Sequence, residues 1–146
     1  MATQRPQTFA NHARIVPLYH GLTFGLLLVN LFWWVYRVVT GLSGDALVSL
    51  LLAIALIVLY LFTRIFALTV QNRIIRLEMR LRLREVLPSP LAARISELSV
   101  RQLIALRFAS DAELPALCSK VLDDRITDQT TIKKMIRDWQ ADYLRV

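Results

Sequence analysis

Cysteine, glycine and the sequence motifs of catalysis are scarce in this chain. Its 146 residues include one cysteine, Cys118, and four glycines. A single cysteine excludes an internal disulfide and any metal site built from several cysteines. Four glycines leave little for a phosphate-binding loop, and the motifs GxxxxGK, HExxH, GxSxG and CxxC do not occur. These absences give no basis for an enzyme, and we expect no cofactor.

Charged residues are missing from two long stretches, Gly21–Tyr36 and Ala46–Thr63, both dominated by apolar residues. With their flanks they form spans of about 17–39 and 46–66, each long enough to cross roughly 30 Å of hydrocarbon. The short segment TGLSGD between them reads as a turn. The sequence therefore predicts a transmembrane hairpin over 17–70. A cleaved signal peptide is the alternative for the first stretch, but that stretch is too long and no small-residue cleavage site follows it.

The distribution of arginine predicts the orientation of this hairpin. Arg5 and Arg14 precede the first span, six arginines follow the apolar part of the second, and the turn contains no basic residue. The positive-inside rule then places both termini in the cytoplasm, with residues 1–16 as a cytoplasmic N-terminal segment.

Five residues of the first span have polar or amphipathic side chains that suggest a position. Trp33, Trp34 and Tyr36 fall near the outer interface, where such rings are enriched. Arg37 can extend to the outer headgroups. Asn30 falls near mid-span, where an amide tends to bond across helices. It serves either a helix–helix contact, within the hairpin or beyond it, or a polar ligand.

A basic segment, residues 71–87, follows the second span. Neither Pro nor Gly occurs between Ile65 and Leu87, so the second helix is expected to continue unbroken as a cytoplasmic stalk. One stripe of this helix carries the arginines 73, 76, 80 and 84, and Glu78 and Glu85 lie on a narrower stripe. Two apolar strips flank the arginines: Ile74, Leu77 and Leu81 form one, and Ile75, Met79, Leu83 and Val86 form the other.

This pattern suggests a stalk packed on two neighbours, because a helix lying flat on a membrane needs one broad apolar face instead. The neighbours would be the chain's own C-terminal domain and a second subunit. Glu78 is placed to pair with Arg82 one turn later. Arg64, Arg73, Arg76, Arg80 and Arg84 are candidate contacts to anionic lipid, worth about 1 kcal/mol each near the surface, or to an acidic partner. In the alternative reading they only fix the orientation.

Residues 91–146 predict a small cytoplasmic domain of short helices. Ser99 with Gln102 and Ser110 with Glu113 have capping-box spacing. A first helix is expected over Val100–Phe108, a second over Asp111–Leu122 and a third over Asp128–Leu144, whose apolar stripe is Ile132, Met135, Ile136, Trp139 and Tyr143. Residues 88–146 carry nine basic and eight acidic side chains, and this balance argues against nucleic-acid binding.

Two histidines, His12 and His20, frame the entry to the first span. Histidines at a membrane face can bind haem or metal or move protons, but no carboxylate is near in sequence. A polar role at the interface is the simpler interpretation.

Four segments carry a resemblance to a known family. They are FANHARIVPLYHG (9–21), RIFALTVQNRIIRLEMRLRL (64–83), QLIALRFASDAELP (102–115) and IKKMIRDWQADYLR (132–145). Nearly the whole chain resembles a bacterial family of small inner-membrane proteins known only as a domain of unknown function. The resemblance implies a location in a bacterial inner membrane, two membrane helices and a small cytoplasmic helical domain, without an established activity. Asn72 departs from the family pattern, which has an acidic residue there, so a local pair with Arg73 or Arg76 is missing.

Two functional hypotheses remain. The first is a non-enzymatic accessory or scaffold protein that assembles with itself or with a membrane partner through the stalk and the C-terminal domain. The second is a subunit of a small homo-oligomeric channel or transporter, lined by Asn30. Neither span has an ionisable residue at mid-depth, which most ion paths contain. A small-molecule ligand is not indicated by any motif.

Overall fold

The computed structural model describes residue 9 and residues 16–142, and the regular elements among these residues are helices. A π-helical turn, Leu18–Thr23, leads into the first helix, and a 3₁₀ turn, Ile95–Glu97, precedes the fourth. The helices are α1 (Phe24–Thr40), α2 (Gly44–Val86), α3 (Ser89–Ala92), α4 (Val100–Leu106), α5 (Leu114–Asp123) and α6 (Gln129–Met135). The described residues contain no strand, only a single antiparallel bridge between Ala109 and Trp139.

These residues divide into two compact units. The first lies within Arg14–Leu68, and the second comprises Thr69 onward together with Phe9. Helix α2 is continuous from Gly44 to Val86, so it contributes to both. Its continuity agrees with the absence of Pro and Gly between residues 65 and 87.

The first unit is a helical hairpin joined at its open end by two tyrosines. Tyr19 and Tyr60 each donate a phenolic hydrogen bond to the other's backbone carbonyl, at 2.7 and 3.0 Å. Their rings stack with centroids 4.4 Å apart, and Phe24 stacks on Tyr60 at 5.5 Å. At the turn, the Ser43 hydroxyl accepts the N–H of Ala46 and so starts α2.

The hairpin unit has almost no buried core. In the part of α2 that belongs to this unit, Gly44–Leu68, only the small residues Ala46 and Ala53 are buried, and no residue of α1 is. The large apolar side chains point outward on both helices. Leu18–Thr40 and Gly44–Val86 are each long and apolar enough to cross a membrane, by length and composition.

The second unit has a conventional core, built where the end of α2 meets the short C-terminal helices. Leu83 of α2, Leu103 and Leu106 of α4, Leu114 of α5 and Ile132 of α6 are all fully buried in one cluster. Helix α4 begins as expected: the Ser99 hydroxyl accepts the N–H of Gln102, and the Gln102 side chain accepts the N–H of Ser99. The capping box predicted there is confirmed.

The prediction of a third helix reaching Leu144 was wrong. Helix α6 ends at Met135, and the backbone at Ile136 is extended. The cause is a set of long-range bonds that replace the helical ones. The N–H of Gln140 donates to Phe108 at 2.6 Å, and the N–H of Ser110 donates to Asp138 at 3.2 Å. Trp139 leaves the expected stripe and stacks on Phe108, with ring centroids 4.6 Å apart.

The second predicted capping box was also wrong. Helix α5 begins at Leu114, with Glu113 at the N-cap and Pro115 in the first turn, and the Glu113 side chain makes no cap bond. Its carboxylate instead accepts the N–H groups of Arg137 and Asp138, at 3.0 and 3.1 Å.

Some of the sequence predictions fall on residues 1–8, 10–15 and 143–146, which lie outside the described residues. They concern the N-terminal segment with Arg5, His12 and Arg14, and Tyr143 at the end of the predicted third helix.

Candidate functional site

The C-terminal part of α2, residues 70–86, carries most of the residues that the sequence singles out. Its side chains sort into four stripes around one helix. One apolar strip is buried, the opposite apolar strip is exposed, and arginine and glutamate stripes lie between them on the two flanks.

The buried strip consists of Ile75, Met79 and Leu83, with between 0% and 5% of each residue exposed. These residues belong to the same core cluster as α4, α5 and α6, and Val86 packs against it. The sequence did not distinguish which of the two strips meets the C-terminal helices, and in the structure it is this one.

The exposed strip consists of Val70, Ile74, Leu77 and Leu81. Between 52% and 62% of each residue is exposed. A buried leucine contributes about 1.5–3 kcal/mol relative to an exposed one. Burial of these four side chains against a partner would therefore give a large stabilisation that the single chain does not have. The occupant of this strip is the main question that the second unit raises.

The arginine stripe is mostly exposed. Arg73, Arg76 and Arg84 are exposed, Arg80 is half-buried, and Arg64 is half-buried further back on α2. The first four recur at intervals of three and four residues, so like charges face each other along the helix, which is mildly destabilising. Within the part of the chain that the structure describes, Nε of Arg80 has no hydrogen-bond acceptor.

Arg82 makes contacts that its neighbours in sequence do not predict. Its Nε donates to the Asp111 carboxylate at 2.7 Å, and its two terminal nitrogens donate to the carbonyls of Arg107 and Ala109, at 3.2 and 2.8 Å. The pairing expected with Glu78 is therefore replaced by a contact across the fold. One guanidinium satisfies three acceptors in the segment between α4 and α5, a geometry that suits its planar donors. No local sequence signal identifies this contact, because Asp111 lies 29 residues away.

In the hairpin unit the candidate residues are spread along α1. Trp33 and Tyr36 are exposed with ring centroids 6.0 Å apart, and Trp34 is half-buried. Arg37 is exposed in the last helical turn. Asn30 is half-buried. The hydrogen bonds joining the two helices come from the tyrosines described above, so a cross-helix role for Asn30 stays a prediction.

His20 makes local contacts. Its Nδ1 lies 3.1 Å from both the N–H and the carbonyl oxygen of Val16, and its ring meets Tyr19 edge to face at 5.2 Å. His12 lies outside the described residues. Among residues 9 and 16–142 no group of three or more His, Cys, Asp or Glu side chains is placed to hold a metal ion.

A surface groove of about 760 Å³ lies between α5 and the end of α6 with the segment that follows it. Glu113, Lys120, Lys134 and Arg137 give it a mixed charge. Its central carboxylate, on Glu113, is already held by two backbone N–H groups. This part of the groove wall is therefore a structural element of the fold.

Two titratable groups near α5 have displaced pKa values. Burial in the core raises the pKa of the Cys118 thiol to about 12. The pKa of the Asp123 carboxyl is lowered, first by its hydrogen bond from Arg94 and then by that from the Ser119 hydroxyl. The Arg94 and Asp123 groups are 2.8 Å apart and exposed. Packing in the core accounts for the raised pKa of Cys118, and hydrogen bonds within the folded unit account for the lowered pKa of Asp123.

Comparison with known proteins gives a family and no function. The whole chain, residues 1–146, matches the family of unknown function DUF6526, and the chain belongs to that family. No curated protein and no solved structure matches it.

Proposed function

We propose that this member of the DUF6526 family is a non-enzymatic integral membrane protein that holds a small helical domain at the membrane surface as an assembly scaffold. The supporting observation is the outward display of large apolar side chains over the hairpin unit. Leu26, Val29 and Phe32 of α1, and Leu52 and Leu59 of α2, are each about three-fifths exposed or more. A helix that is apolar all round, with no partner to bury it, needs hydrocarbon as its surroundings.

The length of α2 indicates that its two halves have different surroundings, the first in hydrocarbon and the second outside it. About 20 apolar residues cross a bilayer, whereas α2 has 43 residues. Its first half is uncharged from Ala46 to Thr63, and its last third contains five arginines and two glutamates. The second part therefore belongs outside the hydrocarbon, where it forms the core of the C-terminal unit.

The arginines orient the protein in this proposal. Arg64 lies at the end of the apolar stretch, where its guanidinium reaches the headgroups of an anionic leaflet. The arginine excess follows the second span and the connecting turn has none, so both termini lie in the cytoplasm. The resemblance to small bacterial inner-membrane proteins makes the inner membrane of a bacterium the proposed location. Anionic lipid and a membrane-protein or self partner are the expected contacts, and nucleic acid is not.

The first test is insertion and orientation. The full chain is expressed in bacteria, the membranes are washed with alkaline carbonate, and reporters active only outside or only inside the cytoplasm are fused to each terminus. We expect retention in the membrane pellet and cytoplasmic activity at both ends. As a charge control, lysines placed in the Thr40–Asp45 turn, together with glutamine at Arg64, Arg73 and Arg76, should shift the termini outward. Release of the native protein by carbonate would overturn the proposal.

The second test is assembly. The protein is purified from native membranes in nanodiscs, and its mass is measured without dissociation. A defined oligomer or a reproducible second protein supports a scaffold. A monomer without a second protein would contradict the proposal.

A further inference from the structure

The exposed apolar strip of α2 has the spacing of a coiled-coil seam. Val70, Ile74, Leu77 and Leu81 are separated by four, three and four residues. This is the alternation of d and a positions in a heptad, with Ile74 and Leu81 at a and Val70 and Leu77 at d. The central pair, a β-branched residue at a and leucine at d, is the combination that favours two parallel strands.

The chain's own domain lies on the opposite face of the same helix. Ile75, Met79 and Leu83 fall at the b, f and c positions, which point away from an a/d seam, and they are buried against the C-terminal helices. Packing of the domain therefore leaves the seam accessible along its whole length. The exposed fraction of its four residues, 52% or more, agrees with this placement.

The charges beside the seam are arranged by sign. Arg73 and Arg80 occupy g positions on one flank, and Glu78 and Glu85 occupy e positions on the other. In a parallel pair, a g residue faces the e residue five positions later on the other helix. Arg73 then meets Glu78 of the second copy, and Arg80 meets Glu85 of the second copy. By symmetry, each pairing occurs twice.

The same arrangement disfavours the antiparallel pair. When two such helices run in opposite directions, g faces g and e faces e, so arginine would meet arginine and glutamate would meet glutamate. Like charges placed across an interface oppose association. The charge pattern therefore favours a second copy of this chain as the partner, and it favours the parallel orientation of the two helices.

The four charged groups are available for this contact. Among the ion pairs of the described residues, none involves Arg73, Glu78, Arg80 or Glu85. Arg82, which sequence spacing would assign to Glu78, is held by Asp111 instead. The glutamate carboxylates are exposed, and on a second copy they would offset the repulsion along the arginine stripe.

We infer that α2 forms a parallel two-stranded coiled coil with α2 of a second copy through Val70, Ile74, Leu77 and Leu81, with Arg73–Glu78 and Arg80–Glu85 pairs between the chains. The inference rests on the proposed membrane function in one respect. A seam of about two heptads is short for association in water, where three to four are usual. Insertion in one bilayer orients both copies alike and raises their effective concentration.

The test uses disulfide cross-linking of the full chain in bacterial membranes. Leu77→Cys places a thiol at the centre of the seam, where two parallel copies bring the same residue together. Arg76→Cys, one residue away and off the seam, is the matched control. We expect strong cross-linking at position 77 and little at 76. The native chain should give none, because its Cys118 is buried. Equal yields at 76 and 77 would overturn the inference.

A charge exchange then tests the pairing. In the Leu77→Cys background, R73E alone and E78R alone each place two like-charged pairs across the seam, and we expect the cross-linked fraction to fall about fivefold. The double variant R73E/E78R should recover it. When differently tagged R73E and E78R chains are co-expressed, both pairs regain opposite charges, so mixed dimers should exceed their statistical share. Yields indifferent to these exchanges, or mixed dimers at only the statistical share, would contradict the pairing.

Carbonate extraction of the same samples separates this inference from the proposed function. Protein that stays in the membrane but does not cross-link preferentially at position 77 overturns the coiled coil alone. Protein released by carbonate overturns the membrane proposal, whatever its cross-linking.

Discussion

Arg82 and Asp111 are joined at 2.7 Å, and the same guanidinium binds the carbonyls of Arg107 and Ala109. The ion pair itself is largely exposed on the aspartate side, so its direct contribution is small. The two carbonyl bonds matter more, because they fix the segment between α4 and α5 against the end of α2. Arg82 is therefore a positioning residue for the surface on which the C-terminal helices assemble.

Replacing Arg82 with alanine should destabilise the second unit by about 2 kcal/mol, since one hydrogen bond from a charged donor contributes about 1.5–3 kcal/mol and the partial exposure of the Arg82 side chain reduces the contribution of each of its bonds. Asp111→Asn, which removes only the exposed charge, should cost less than about 0.5 kcal/mol. Arg84→Ala, at an exposed position two residues away, is the control. Hydrogen exchange of the α4 and α5 amides in detergent measures the effect. Equal protection in the Arg82 and Arg84 variants would show that the contact does not hold the domain.

Truncation of Leu83 should reduce the stability of the fold, whereas truncation of Leu81 should reduce association, although the two leucines are two residues apart on one helix. Leu83 is fully buried, and Leu83→Ala should cost about 2–5 kcal/mol of stability through the cavity that it leaves. Leu81 is 52% exposed, so Leu81→Ala should change the folding of the single chain by no more than about 0.5 kcal/mol while reducing cross-linking at position 77. Loss of folding in the Leu81 variant would mean that the exposed strip belongs to the chain's own core.

Periodicity predicted the stripes of α2, because i, i+3 and i+4 spacing is a property of the helix alone. It did not predict what each strip meets. Glu78 is the near partner for Arg82 by spacing, yet Asp111 provides a contact together with two carbonyls that a local pair cannot offer. Likewise, Tyr19 and Tyr60 are 41 residues apart in sequence, and nothing in the pattern of either span pairs them.

The end of α6 illustrates the same limit. Residues 129–144 contain no Pro or Gly, and their apolar stripe continues past Met135, so local rules extend the helix. The structure ends it because Glu113 and the backbone of residues 108–110 bind the N–H and carbonyl groups of residues 137–140. These acceptors are distant in sequence and come close to residues 137–140 only in the folded unit, so local sequence rules cannot identify them.

Glu113→Ala should release the segment after α6, because the N–H groups of Arg137 and Asp138 lose their acceptor. We expect a local cost of about 1 kcal/mol, measured as roughly fivefold faster hydrogen exchange at those two amides.

Ser110→Ala is the matched control for that experiment. The Ser110 hydroxyl is buried with no hydrogen-bond partner among the described residues, so its removal should change exchange very little. If a capping box with Glu113 existed in solution, this variant would instead cost about 1 kcal/mol, and α5 would begin before Leu114.

Cys118 should be unreactive in the folded protein and reactive only after unfolding. It is fully buried in α5, and the loss of hydration raises the pKa of its thiol to about 12. The thiolate is the reactive form, so at about pH 8 the native protein should resist a maleimide or an aromatic disulfide. Labelling against denaturant concentration then reports the stability of the second unit without any substitution. Rapid labelling in the absence of denaturant would place Cys118 outside the core.

Acid should weaken the second unit partly through the Arg94–Asp123 pair. The pKa of the Asp123 carboxyl in the folded state is below its ordinary value of 3.8, because the charged form accepts hydrogen bonds from Arg94 and Ser119. A lowered folded-state pKa means that the unfolded state takes up the proton first. The stabilisation is thus complete above about pH 5, and it is lost as the pH falls through 3.8 toward the folded-state pKa.

Asp123→Asn should lower the melting temperature at about pH 7 and flatten its decline between about pH 5 and pH 3. Asp124→Asn, which removes the neighbouring carboxylate and leaves the contact between Arg94 and Asp123 in place, should keep the native slope. If both variants keep it, the acid sensitivity has its origin elsewhere, and the Asp128 carboxylate is the next group to replace, because hydrogen bonds from Thr131 lower its pKa in the same direction.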